Sequence, residues 1–176
     1  MHKNRFDELT SLMAKKDTKA FDLFYNEYGG FIYSVIKVVC KEKELTEEVL
    51  DDVLIKVWNL AHKLVHIENP EGWLYKVSRN TAINAVKVRR SAPLVYESGV
   101  NDRNIEMLLG DMVFEEIISC LTPVEQEVLI FKFKRDYTFR QIGEIMGKPT
   151  STISNIYYGA TKKLEKIEKN NRKSDK

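Results

Sequence analysis

The chain has 176 residues, 43% hydrophobic and 31% charged, enough apolar material for one medium domain or two small ones and too much for disorder throughout. Apolar runs such as Phe31–Val39 are broken by lysine and too short for a bilayer, and the first residues lack the apolar core of a signal peptide. No membrane insertion is therefore expected, and the cytoplasm is the expected compartment.

A net charge of +2 says little, but its distribution is uneven. From Glu71 to Arg90 five basic residues (Lys76, Arg79, Lys87, Arg89, Arg90) face one acidic, and from Lys162 to Lys176 seven face three. Between them, Glu97 to Glu127 carries eight acidic residues and one basic, Arg103. Two basic segments separated by an acidic middle suggest two contact surfaces for a polyanion, although solvated helix faces and a lysine-rich tail would look alike on charge alone. Cys40 and Cys120 are too few and too far apart for a disulfide framework or a zinc ribbon, and both read as reduced, buried thiols.

Almost everything before Arg90 reads as helix. Phe21, Phe24, Tyr25 and Tyr28 recur at helical spacing, and the pattern resumes after Gly29-Gly30 with Ile32, Val35, Ile36 and Val39. Thr46 is the expected cap of the next helix, with Glu47 and Glu48 in its first turn. Leu50, Leu54, Val57, Ala61 and Leu64 form its core stripe. Its other side shows Asp51, Asp52, Ile55, Trp58 and Asn59, a mixed acidic and apolar surface that suits a protein partner.

Asn69-Pro70 then restarts the chain as a cap followed by proline at the first helical position. Leu74, Val77, Thr81, Ala85 and Val88 are the expected core side, leaving Lys76, Arg79, Asn80, Ile83, Asn84, Lys87 and Arg90 outside. Amides among cations on one face suit nucleic acid, since amides read base edges while cations hold phosphates. From Ser91 to about Gly110 the periodicity is lost among Pro93, Gly99, Asn101 and Asp102, as expected of a linker.

The last third carries the clearest local signals. Thr122, Pro123 and Glu125 form a capping box with proline at the first helical position, and Thr138 with Gln141 repeats the device. Ile142, Ile145 and Met146 give the second helix an apolar side, and Gly147 ends it. A third helix begins near Thr150, with Ile153, Ile156, Tyr157, Ala160, Leu164 and Ile167 as its expected buried side. Two helices joined by a tight glycine turn make a helix-turn-helix, whose second helix would lie in the major groove. Ser151, Thr152, Ser154, Asn155 and Tyr158 would then face bases, and Lys162 and Lys163 phosphate.

With these segments taken together, the chain resembles the small two-domain bacterial sigma factors of the extracytoplasmic-function group. "DTKAFDLFYNEY" is similar to the group's opening helix, "TEEVLDDVLIKVW" to its polymerase-binding helix and "WLYKVSRNTAINAVKVRR" to its promoter-melting helix. "LTPVEQEVLIFKF" with "YTFRQIGEIMGKPTSTISNIYYGATKKLEK" resembles its promoter-upstream helix-turn-helix.

The resemblance implies an all-α fold of two helical domains joined by a flexible linker: residues 1–92 for core polymerase binding and the -10 element, 93–110 as linker, and 111–176 for the -35 element. It implies that Asp51, Asp52, Ile55 and Trp58 lie at the polymerase-docking face. It further implies that Asn80, with the loop His66 to Gly72, helps capture a base flipped from the -10 element, while Lys76, Arg79, Asn84 and Lys87 follow the strand.

Core RNA polymerase and promoter DNA are the implied partners, an anti-sigma factor is left open, and no cofactor, metal or catalytic residue is implied. One departure stands out. Ser154, Ile156 and Gly159 occupy positions where the group's "GTVKSRLHRA" pattern commonly carries cations, so weaker phosphate anchoring is expected, with Lys162, Lys163 and Lys166 available to compensate.

Two other readings compete with this one. A free-standing helix-turn-helix regulator would share the last third, but it has no need of the "WLYKVSRN" helix. A metal protein could use His62 and His66 with Glu68 or Cys40, but no HExxH or CxxC accompanies them.

Overall fold

A computed structural model describes residues 3–91 and 112–174, and its regular structure is helical throughout them. Contacts divide the chain into two compact units, Met1–Val95 and Tyr96–Lys176. The expected linker, 93–110, lies outside the described residues.

The first unit holds four helices: α1 (Lys3–Ala14), α2 (Thr18–Cys40), α3 (Lys43–Leu64) and α4 (Pro70–Ser91). The helix α2 touches each of the other three, and α3 touches α1 and α4. Asp17 starts α2 by accepting hydrogen bonds from the Lys19 and Ala20 amides at 2.9 and 3.4 Å, which satisfies donors that a first turn leaves orphaned. Gly29-Gly30 does not interrupt α2. The space that a Cβ on Gly29 would take lies 3.2 Å from the Tyr25 ring, so the missing side chain lets that ring fold back along the helix.

Phe6 and Met13 of α1, which carries no distinctive motif, join the core in the same layer as Phe24 and Tyr28. The Phe6 ring meets Phe24 and Tyr28 edge-on at 5.9 and 5.5 Å, and each such pair contributes about 0.5–1.5 kcal/mol beyond its burial.

Two expectations for this unit are corrected. Thr46 is not the cap of α3. The helix begins four residues earlier, after Glu42, and Thr46 is buried within it, its hydroxyl donating to the Glu42 carbonyl at 2.6 Å. A threonine hydroxyl satisfies itself on the carbonyl four residues back as readily as it caps, which the sequence does not distinguish. The core stripe of α3 is as expected, Leu50, Leu54, Val57, Ala61 and Leu64 all being buried.

In α4 the buried stripe is Leu74, Tyr75, Ser78, Thr81 and Ala82. Val77 and Ala85 are only half-buried and Val88 is 68% exposed, because the burial is confined to the first half of the helix.

The second unit holds α5 (Met112–Ile118), α6 (Pro123–Phe133), α7 (Phe139–Met146) and α8 (Thr150–Ser174). Both capping boxes form. The Thr122 amide and hydroxyl donate to the Glu125 carboxylate at 3.0 and 2.9 Å, and the Thr138 amide and hydroxyl donate to the Gln141 side-chain oxygen at 2.9 Å each.

Gly147 ends α7 in the left-handed conformation, φ 65°, which glycine adopts without steric cost. The turn closes on Gly143, whose carbonyl accepts from Gly147 and, at 2.9 Å, from Lys148. A Cβ on Gly143 would stand 2.6 Å from the Lys148 carbonyl oxygen, so α7 can approach the turn this closely only without a side chain there.

The helices α6 and α7 both pack on α8, but they are 11 and 8 residues long against its 25. The covered length is short, and this corrects the expected buried side of α8. Ile153 and Ala160 are fully buried, Ile156, Tyr157 and Leu164 are half-buried, and Ile167 is 40% exposed.

Candidate nucleic-acid interface

On α4, Lys76, Asn80, Asn84 and Lys87 are all exposed. Their steps of four, four and three residues place them in one line along the helix. Arg79 and Ile83 flank the line half-buried, and Arg79 and Lys87 each have an interaction within the chain. The line begins just beyond a built helix start: the Gly72 amide donates to the Asn69 side-chain oxygen at 2.8 Å. A Cβ on Gly72 would stand 2.5 Å from the Asn69 amide nitrogen, so Gly72 makes room for the cap. At the far end, Arg89 reaches Glu42 at 3.5 Å and ties α4 to the start of α3.

On α3, Asp52 and Asn59 are exposed, Ile55 is 57% exposed, and Asp51 and Trp58 are half-buried. The Trp58 ring is held edge-on by Phe21 at 5.5 Å and lies under the Lys16 ammonium at 5.2 Å. Neither contact was legible in the sequence, since Lys16 lies in the turn before α2 and Phe21 in α2, and their spacing to Trp58 carries no period. Behind this surface the Lys56 ammonium donates to the Thr81 hydroxyl on α4 at 2.9 Å, and that hydroxyl donates to the Val77 carbonyl at 2.8 Å.

On α8, Ser151, Asn155, Tyr158 and Lys162 are exposed at steps of four, three and four residues, again one line. Thr152 and Ser154 are half-buried, and the Ser154 hydroxyl donates to the Ser151 carbonyl at 2.9 Å. Tyr158 is 62% exposed, its ring edge-on to Phe139 and Tyr157 at 6.1 and 5.3 Å, so a large flat side chain is held rigidly at the surface.

Lys163 departs from the expectation that it faces phosphate, because its ammonium meets Glu125 at 2.6 Å. Burial pushes the Glu125 carboxyl up, but the hydrogen bonds from Lys163 and from the Thr122 amide and hydroxyl outweigh it and hold the group below the ordinary carboxylate range.

The cysteines divide. Cys40 is buried as expected, and burial chiefly, with the nearby Glu42 charge, pushes its thiol up to about 11 against a smaller opposing effect of Arg89. Cys120 is exposed, correcting the expectation of a buried thiol: it follows the short α5 at the surface. The His66 ring is turned to Asp7 at 3.2 Å, and among the described residues no three His, Cys, Asp or Glu side chains are grouped to hold a metal ion. Among the described residues, no helix is long and apolar enough to cross a membrane.

Two helical units, the second a capped helix-turn-helix and the first bearing a line of amides and cations, define a DNA-binding protein of the transcription machinery. The family descriptions "Sigma-70 region 2" and "Sigma-70, region 4" match residues 24–92 and 117–166. Similar curated proteins include the "ECF RNA polymerase sigma factor SigK" of Mycolicibacterium vanbaalenii, 22% identical over 91% of this chain and 87% of that one. Another is the "ECF RNA polymerase sigma factor SigX" of Bacillus subtilis, 23% identical over 84% of this chain and 83% of that one.

Among solved structures, CnrH in complex with the cytosolic domain of CnrY has a TM-score of 0.67 at 13% identity, covering 94% of this chain and 97% of that one. The sigma factor RpoE in complex with the anti-sigma factor NepR from Bartonella quintana has a TM-score of 0.62 at 15% identity, covering 86% and 98%. The chain belongs to the sigma-70 family, in its extracytoplasmic-function group. As a sigma factor it directs promoter-specific initiation of transcription, with RNA polymerase and promoter DNA as its partners.

Proposed function

We propose that the two units divide one promoter between them, residues 1–92 serving the -10 element and the polymerase, and 111–176 the -35 element, with 93–110 as the tether. The observation that carries this reading is the exposed line Lys76, Asn80, Asn84 and Lys87 on α4. Asn80 and Asn84 supply donors and acceptors that match base edges, while Lys76, Lys87 and the neighbouring Arg79 follow the phosphates. In the second unit, Ser151, Thr152, Ser154, Asn155 and Tyr158 lie at the leading half of the recognition helix and Lys162 a turn beyond. On α3, Asp51, Asp52, Ile55 and Trp58 offer an acidic, partly apolar surface for the polymerase.

The chain works as a dissociable factor without catalysis of its own, in the cytoplasm where polymerase and chromosome meet. Opening DNA loses about 1.4 kcal/mol of stacking per step, while one base stacked on an aromatic recovers about 1–3 kcal/mol. Melting several steps therefore requires the polymerase to hold both strands. Both structural neighbours were solved in complexes, one of them with an anti-sigma factor, and the same kind of partner fits this chain.

The test is run-off transcription with core RNA polymerase on genomic fragments, followed by mapping of start sites. Shared -10 and -35 sequences upstream of the starts are expected. No transcript with core polymerase, together with tight duplex binding by the chain alone, would instead indicate a free-standing helix-turn-helix regulator.

A further inference from the structure

The residues matched to region 2 begin at 24, yet α1, which precedes them, grips the loop that leads into α4. One oxygen of the Asp7 carboxylate accepts the His66 backbone N–H at 3.0 Å, and the other lies 3.2 Å from His66 Nδ1. Asp7 is 15% exposed at its side chain and is carried by a helix anchored through the buried Phe6, Leu9 and Met13, whereas the His66 side chain is 80% exposed.

The loop is short. The helix α3 ends at Leu64 and α4 begins at Pro70, and within that span His66 adopts the left-handed conformation, φ 67°. A residue with a Cβ does not hold that conformation by preference. The carboxylate helps to hold it by accepting the His66 amide, alongside the Ile67 amide that donates to the Leu64 carbonyl at 3.4 Å.

We propose that Asp7 is a positioning residue for promoter recognition: it sets the loop Val65–Asn69, and through it the entry to α4, before DNA arrives. The inference rests on the reading of this loop and α4 as the -10 surface. A loop already held in its binding shape loses less freedom on capturing a base, and the gain appears as discrimination between correct and incorrect bases.

The test has two readouts. In the full chain, the His66 amide should be protected from hydrogen exchange, and Asp7→Ala should speed its exchange by about ten-fold, the worth of a hydrogen bond to a charged acceptor. In the holoenzyme, templates carrying each base at each -10 position of a promoter mapped by run-off should show Asp7→Ala lowering discrimination by a similar factor at one or two positions, with core binding unchanged.

Asp7→Asn keeps an acceptor for the amide but loses its charge, and should fall between wild type and Asp7→Ala. Asp7→Ala with His66→Gly should recover part of the loss, because glycine adopts the left-handed backbone freely. If Asn80→Ala alters discrimination and Asp7→Ala does not, the positioning role is overturned and the -10 surface stands. Should neither alter it, both fall. Rapid exchange of the His66 amide in the wild-type chain overturns the proposal without any variant.

Discussion

Lys163 on α8 places its ammonium 2.6 Å from the Glu125 carboxylate, which also takes the Thr122 amide that starts α6. One carboxylate thus caps one helix and pins another. Because its folded pKa lies below the ordinary value, its contribution is fully present above the ordinary glutamate range near about 4.3 and is lost as the pH falls through the folded value. Thermal melts of the full chain from pH 7 to 3 should therefore show the transition of the second unit falling in the acid range. Glu125→Gln should lower stability at neutral pH and flatten that part of the profile; an unchanged profile would show that the pair is not coupled to folding.

Gly143 and Gly159 should respond oppositely to alanine. A Cβ at Gly143 meets the Lys148 carbonyl at 2.6 Å, so Gly143→Ala should destabilise the second unit by about 1–3 kcal/mol through overpacking. Around Gly159 no atom lies within 4 Å of a Cβ, and Gly159→Ala should stabilise α8 by about 1 kcal/mol. Urea denaturation measures both. A loss of -35 binding by Gly159→Ala despite the stabilisation would mean that DNA or polymerase approaches the backbone there.

The two thiols should differ sharply in reactivity. Cys120 is exposed, while Cys40 is buried with its thiol raised to about 11, so little thiolate forms at neutral pH. Iodoacetamide on the native chain should label Cys120 alone, and denaturant should equalise the two. Prompt labelling of Cys40, read by mass spectrometry of the labelled peptides, would contradict its burial.

Asn80→Ala removes one exposed amide from the line on α4 without touching the core. A loss of about 1–3 kcal/mol is expected at the base concerned, seen as weaker permanganate reactivity of the open complex with polymerase association intact. Loss of association in this variant would count against the assignment.

Asp51→Lys with Asp52→Lys reverses two charges on the opposite function, the α3 surface. Pull-down of core polymerase should weaken markedly while the helical circular dichroism signal is retained. Unchanged pull-down would refute that face.

What the sequence determined by itself was local. Asn69-Pro70, Thr122 with Glu125, Thr138 with Gln141 and Gly147 mark helix ends because a cap acts within one turn of the residues that make it, and they appear in the structure at those positions. Periodicity likewise placed Lys76, Asn80, Asn84 and Lys87 on one outer line. Burial was decided only by tertiary structure. Val88, Ile167 and Cys120 are apolar or thiol positions that stand exposed, and Thr46 is buried within a helix rather than capping it. The grip of Asp7 on His66 spans 59 residues of chain. Such a contact depends on where α1 comes to rest against α3, and that is fixed by the joint packing of four helices rather than by any pattern along one of them.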